Sequence, residues 1–240
     1  MINFAHRGAS SDYPENTMLS LREGIKSGAR GLEIDVHKTK DNKIVVIHDE
    51  DIERTFIGKG LIKDFTLEEL KSFKNRKKLF RDNEECHIPT LEEVLELIKD
   101  IDILLNIELK TDIINYKGIE EDVINLIRTY NLEDKIIISS FNHESIKKVK
   151  AISNIKTGIL YESPIENVVE YAKALGVDAI HPSLLLVSEE LIKEAHEKNL
   201  KVNIFTVNNP IHMRLLIKNK VDGAFTDYPE LLSEILKEEI

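Results

Sequence analysis

A chain of 240 residues with 42% hydrophobic content can bury one sizeable core, so a single domain over 1–240 is the expectation. A formal charge of −10 and a pI near 5.4 exclude the clustered basic footprint of a nucleic-acid binder, and any phosphate chemistry must rest on local cations. Strand-like residues begin at Ile2, no apolar run approaches membrane-spanning length, and the lone Cys86 can form no internal disulfide. These features predict a soluble, cytoplasmic protein without a membrane span, and they are compatible with a homo-oligomer.

In chain order, a strand over residues 2–5 delivers His6 and Arg7 into a glycine, and a small, polar, proline-marked loop leads to a helix over 16–27. The second strand covers 31–36. The apolar run 44–48 follows too closely for a crossover helix, which needs about a dozen residues, so the two form an antiparallel hairpin turning at 40–43. Residues 50–88 are then an insertion, with a turn-rich IGKG, a short helix opened by the capping-box spacing from Thr66 to Glu69, and a basic KNRKK. Leaving the barrel just after His48, this insertion is expected to arch over the mouth as a lid. A helix over 91–99 opens on a second capping box from Thr90 to Glu93. Strands over 103–109, 136–140, 156–161, 178–181, 202–206 and 222–226 then alternate with helices over 117–130, 143–151, 165–175, 188–198, 210–218 and 229–237. Pro210 and Pro229 occupy first-turn positions.

Eight βα units in a chain close to the ~250 residues typical of the architecture predict a (β/α)8, or TIM, barrel with a hairpin after the second strand and a small insertion at the C-terminal mouth. An open doubly wound sheet is the alternative, but no strand is followed by a glycine-rich dinucleotide loop.

In such a barrel the chemistry sits where the strands end. Strand residues two apart share a face, so in GLEIDV Glu33 and Asp35 point one way, and in LLNIELK Asn106, Glu108 and Lys110 do. Three carboxylates facing one mouth call for a cation, because desolvating each costs several kcal/mol without a partner. Oxygen donors without cysteine suit a hard divalent ion, Mg2+ or Ca2+. The competing reading is a structural salt-bridge network in which Arg7 and Lys110 neutralise the acids. The hairpin returns VVIHDE to the same mouth and brings His48 there beside His6, whereas His37, His87, His143, His196 and His212 read as ordinary surface or core histidines. A metal, two imidazoles, an arginine and a lysine meet the needs of phosphodiester cleavage.

The segments HRGASSDYPENT, LEIDVHKTKDNKIVVIHDE, IERTFIGKG, TLEEL, IPTLEEVL, NIELK, SSFN, IFTVN and DGAFTDYP follow one another over nearly the whole chain in an order that resembles the glycerophosphodiester phosphodiesterase family. The resemblance implies a TIM-barrel hydrolase that splits deacylated phospholipids into glycerol 3-phosphate and an alcohol with a divalent cation. It implies His6 and His48 as the general acid/base pair, Glu33, Asp35 and Glu108 as metal ligands, and Arg7 and Lys110 as phosphate contacts. Phe141, His181 and Phe205 are the implied glycerol contacts. The chain departs from the family's pattern at Phe205, where tryptophan is frequent, at Phe56, where a second threonine is common, and at Asn42, where the turn usually has glycine. A lysophospholipase D-like activity on the same fold would need an apolar acyl channel. A non-catalytic barrel that only binds phosphoryl ligands would have no use for two histidines at the mouth.

Overall fold

Strands buried along nearly their whole length and amphipathic helices between them call for a sheet covered on both faces. In the computed structural model, which describes residues 1–239, the chain runs β1 (Ile2–His6), α1 (Met18–Lys26), β2 (Gly31–Lys38), β3 (Ile44–Val46), α2 (Leu67–Ser72), α3 (Leu91–Ile98), β4 (Leu104–Leu109), α4 (Ile119–Thr129) and β5 (Ile136–Ser140). It continues through α5 (His143–Ile152), β6 (Lys156–Tyr161), α6 (Val168–Leu175), β7 (Ala179–Pro182), α7 (Glu189–Glu197), β8 (Lys201–Ile204), α8 (Pro210–Lys218), β9 (Gly223–Thr226) and α9 (Pro229–Glu238). The sheet order β1-β9-β8-β7-β6-β5-β4-β2 closes through a parallel β1–β2 pairing, which makes an eight-stranded parallel barrel; β3 hangs antiparallel on β2. This is the TIM barrel expected from the alternation.

Outward-facing Leu32, Ile34, Val36, Leu105, Ile107 and Leu109 pack with helix residues such as Leu95, Val123 and Ile127 in one continuous core. The barrel interior holds a different set. Phe4 and Phe225 stack with ring centroids 4.9 Å apart, and a Cβ at Gly31 would lie 2.3 Å from the Phe4 ring, so the glycine leaves room for the aromatic layer.

The capping boxes at Thr66 and Thr90 form as their spacing predicts, each with the third helical residue reaching back to the cap. The first helix starts later than expected. Asn16 adopts a left-handed φ of 53°, which ends any helical run there, and Thr17 caps a helix that begins at Met18. The hairpin turn has Asn42 at φ 60°, a left-handed conformation that asparagine tolerates better than other residues with a side chain.

The insertion folds around its own apolar cluster of Ile52, Phe56, Ile62, Leu70 and Ile88, continuous with Val45 and Ile47 of the hairpin. That cluster holds it against the barrel wall, where Lys77 bonds the Tyr13 carbonyl (3.1 Å) and Arg22 pairs with Glu85 (2.9 Å). It flanks the mouth and does not arch over it: of its residues only Glu50 lines the cavity described below.

Candidate active site

At the C-terminal ends of β1, β2 and β4 the strand register sets the acids. Glu33 stands opposite Asn106, and Asp35 opposite Glu108, so two adjacent strands present four oxygen-bearing side chains inward. One oxygen each from Glu33, Asp35 and Glu108 lie within 4.8 Å of one another, and all three residues are buried. Burial, with Asp35 and Glu33's other acidic neighbour adding to it, raises Glu33 well above the usual carboxylate range. Burial and Asp35 likewise push Glu108 up to about 7. Asp35 goes the other way: burial opposes its charge, but Arg7, His48 and Lys110 outweigh it and hold the carboxyl low.

Each acid keeps a fixed donor on one oxygen. Glu33 Oε2 accepts from the Arg7 backbone N–H (2.9 Å), Asp35 Oδ2 from Asn16 Nδ2 (2.8 Å) and Glu108 Oε1 from Lys110 Nζ (2.9 Å). The first depends on the backbone of HRG: Arg7 has φ 57° and Gly8 φ 84°, and a Cβ at Gly8 would sit 2.4 Å from the Ser20 backbone. Glu33 Oε1 and Asp35 Oδ1 are buried with no partner at all. Two orphaned carboxylate oxygens in a cluster of oxygen donors only fit a hard divalent cation, whose charge would also offset the mutual repulsion of the acids.

Both imidazoles reach the same cavity, of about 560 Å³, which is also lined by Arg7, Lys110, Phe141 and Phe205. His6 Nδ1 lies 2.6 Å from Asp227 Oδ1, and Asp227 is itself fixed by Ser10 Oγ (3.0 Å) and Asn208 Nδ2 (2.6 Å). His48 Nδ1 lies 2.7 Å from Asp49 Oδ1, whose other oxygen takes Arg54 Nε at 2.6 Å. A carboxylate accepts, so each Nδ1 carries hydrogen and each Nε2 is left for chemistry. His48 Nε2 stands 3.4 Å from Lys110 Nζ, and His6 Nε2 4.0 Å from Glu33 Oε2. Burial, reinforced by Arg7 and Lys110 against Asp35, keeps His48 below the ordinary imidazole range.

Asp49 and Asp227 were not among the residues expected from sequence. Asp49 directly follows His48 and Asp227 closes the last strand in TDYP, but a role for either needs the Nδ1 contact, which only the fold supplies.

Phe141 and Phe205 meet edge to face at 5.7 Å across the cavity, with Lys110 Nζ 5.9 Å from the Phe141 centroid. His181 does not join them. It is fully buried and absent from the cavity wall, its ring 5.3 Å from Phe225 and its Nε2 accepting from Asn203 Nδ2 at 3.0 Å. The expected glycerol contact instead packs inside the barrel against Gly158, where a Cβ would lie 2.5 Å from its ring.

A closed (β/α)8 barrel with its acids, imidazoles and fixed cations gathered at the C-terminal mouth defines an enzyme of the TIM-barrel class. The sequence profile of the Glycerophosphoryl diester phosphodiesterase family matches residues 6–231, and the chain belongs to that family. It is 42% identical over 234 residues to a glycerophosphodiester phosphodiesterase of Caldanaerobacter subterraneus, covering 97% of this chain and 96% of the relative. It is 38% identical over 239 residues to one from Bacillus altitudinis, with 98% of both chains covered. Among solved structures, an Oleispira antarctica phosphodiesterase in complex with the product sn-glycerol-3-phosphate superposes with a TM-score of 0.86 at 28% identity, over 99% of this chain and 97% of that one. Among the described residues no helix is long and apolar enough to cross a membrane.

Proposed function

We propose that this protein hydrolyses glycerophosphodiesters to glycerol 3-phosphate and an alcohol, with a divalent cation held by Glu33, Asp35 and Glu108 and with His6 and His48 as the proton-transferring pair. One observation carries the reading: three buried carboxylates, two with orphaned oxygens, cluster together, and two of them, Glu33 and Glu108, line a cavity with two imidazoles whose Nδ1 atoms are already committed to carboxylates. Glu33, Asp35 and Glu108 would hold the divalent cation, Mg2+ or Ca2+, which would supply positive charge for the phosphoryl oxygens.

The chain's own groups do the rest. Arg7 and Lys110 hold the phosphate, and Phe141 and Phe205 wall the glycerol side. One imidazole takes a proton through Nε2 from the attacking oxygen as its bond to phosphorus forms; that oxygen is water's, or the glycerol 2-hydroxyl's with water then opening the cyclic phosphate. The other gives a proton to the alcohol oxygen as the bond from phosphorus to that oxygen breaks, so no free alkoxide is released. Asp49 and Asp227 keep Nδ1 protonated so that Nε2 faces the reaction, and they stabilise the imidazolium that the proton-taking ring becomes and the proton-giving ring starts as.

The test is a panel of glycerophosphodiesters with product coupled to glycerol 3-phosphate detection, in EDTA and with Mg2+ or Ca2+ restored. Activity should vanish with the metal and return with it, and Glu108→Gln should lose both ion affinity, read by calorimetry, and turnover. Full activity after verified metal removal would sink the metal assignment. A phosphoryl-binding barrel without catalysis predicts affinity for glycerol 3-phosphate with no product from any diester.

A further inference from the structure

His37 reads from sequence as an ordinary core histidine, and it is indeed fully buried. Both its ring nitrogens are nevertheless engaged. Nε2 lies 3.0 Å from the backbone carbonyl of His48, and Nδ1 lies 2.9 Å from the Tyr116 hydroxyl, with the two rings edge to face at 5.6 Å. A carbonyl can only accept, so Nε2 carries the hydrogen; Nδ1 is then the acceptor and Tyr116 the donor. One tautomer satisfies the whole chain of contacts.

The location gives the chain a purpose. The β2–β3 ladder pairs His37 with Val45, and its last bond runs from the Ile47 N–H to the Asp35 carbonyl (3.0 Å). His48 is the next residue, beyond the ladder, and His37 Nε2 is the donor that reaches its carbonyl. Tyr116, 6% exposed, belongs to the loop after β4 that begins at Lys110, whose Nζ stands beside His48 Nε2.

We infer that His37 is a positioning residue for His48, its imidazole joining the Tyr116 hydroxyl to the His48 carbonyl and so fixing the hairpin return relative to the loop that carries Lys110. Leu in place of His37 removes both bonds. Phe in place of Tyr116 removes one hydroxyl while keeping the packing. Gln in place of His37 keeps an N–H donor close to the position of Nε2.

The kinetic arm rests on the hydrolase reading above. His37→Leu is expected to lower kcat about tenfold and Tyr116→Phe about threefold, with KM and Mg2+ affinity within about twofold, because geometry at one proton-transferring group is what changes. His37→Gln should recover most of the loss. In a His48→Ala background, His37→Leu should cost less than about twofold, since the group it positions is gone. A full cost in that background, or equal defects in His37→Gln and His37→Leu, overturns the inference.

A second arm needs no activity. Ring 15N shifts of the wild-type imidazoles, assigned by the signals lost in His37→Gln, should show His37 neutral with its proton on Nε2, and Tyr116→Phe should displace the His48 resonances. A proton on Nδ1 of His37, or His48 signals unmoved by Tyr116→Phe, overturns the inference. A wild-type protein inert toward every diester defeats the hydrolase reading, while this arm still decides the role of His37.

Discussion

Lys110 is the residue at which the two readings of the acidic cluster part. Its side chain is 7% exposed and bonded to Glu108, so a salt-bridge network predicts that removing it leaves a buried acid uncompensated and the fold weakened. With a divalent cation present, that acid has a second partner. Lys110→Met is therefore expected to melt near the wild-type temperature in Mg2+ while kcat/KM falls by about 10²- to 10³-fold, as for loss of a charge-stabilising donor. A large loss of melting temperature in Mg2+, with activity per folded molecule intact, would support the network. His181 gives a prediction with a defined sign. Burial lowers its pKa to about 3, so the folded state keeps it neutral while the unfolded chain takes up a proton below about 6.5. Its contribution to stability is full above that value and declines as the pH falls toward 3, with a slope of up to about 1.4 kcal/mol per pH unit. His181→Gln retains an acceptor for Asn203 and cannot protonate. Urea titrations at pH 7 and pH 5 should show a smaller loss of stability on acidification in the variant than in the wild type; equal losses would contradict the buried neutral state.

At the scale of elements, the hairpin and the insertion act as one unit. Arg54 reaches from the insertion to both Asp49 and Glu15, with contacts of 2.6 Å to each, and Glu15 in turn meets Arg7 at 3.0 Å. The arginine thus touches the carboxylate that backs His48 and reaches Arg7 through Glu15. Because Arg54 is about half exposed, its loss should cost little stability, of the order of 0–1 kcal/mol. Arg54→Ala is expected to lower kcat several-fold with the melting temperature almost unchanged, and a pure loss of stability with normal kcat would confine the insertion to a structural role. Replacing residues 51–86 by a short linker would also uncover Val45 and Ile47 of the hairpin, so it perturbs the element that carries His48 as well as the insertion.

For the whole molecule, barrel closure depends on what fits inside it. Gly31 and Gly158 leave the space that Phe4 and His181 fill, and Ala at Gly31 would place its Cβ 2.3 Å from the Phe4 ring. Gly31→Ala should destabilise by about 1–3 kcal/mol through overpacking, measured by urea unfolding, and Phe4→Leu in the same chain should return part of that loss. Additive effects of the two changes would show that the clash is relieved elsewhere.

Local signals in the chain were sufficient for the barrel. Alternating strand and helix periods, the hairpin forced by a short connection, and the capping boxes at Thr66 and Thr90 are all short-range, and each formed as its spacing predicts. Period-two alternation also placed Glu33, Asp35, Glu108 and Lys110 on one face, because a strand's pleat fixes direction without reference to the rest of the molecule. Facts that join distant segments were beyond its reach. Asp227 lies 221 residues from His6, and their contact exists only because β9 closes the sheet beside β1. The depth of His181 depends on its layer in the barrel, and the second bond of His37 depends on where the loop after β4 brings Tyr116. The insertion's place beside the mouth follows from its apolar cluster packing onto the hairpin. Direction along a strand is a local property of the backbone, whereas depth, partner and exposure are set by closure of the barrel, and that is where tertiary structure alone decided.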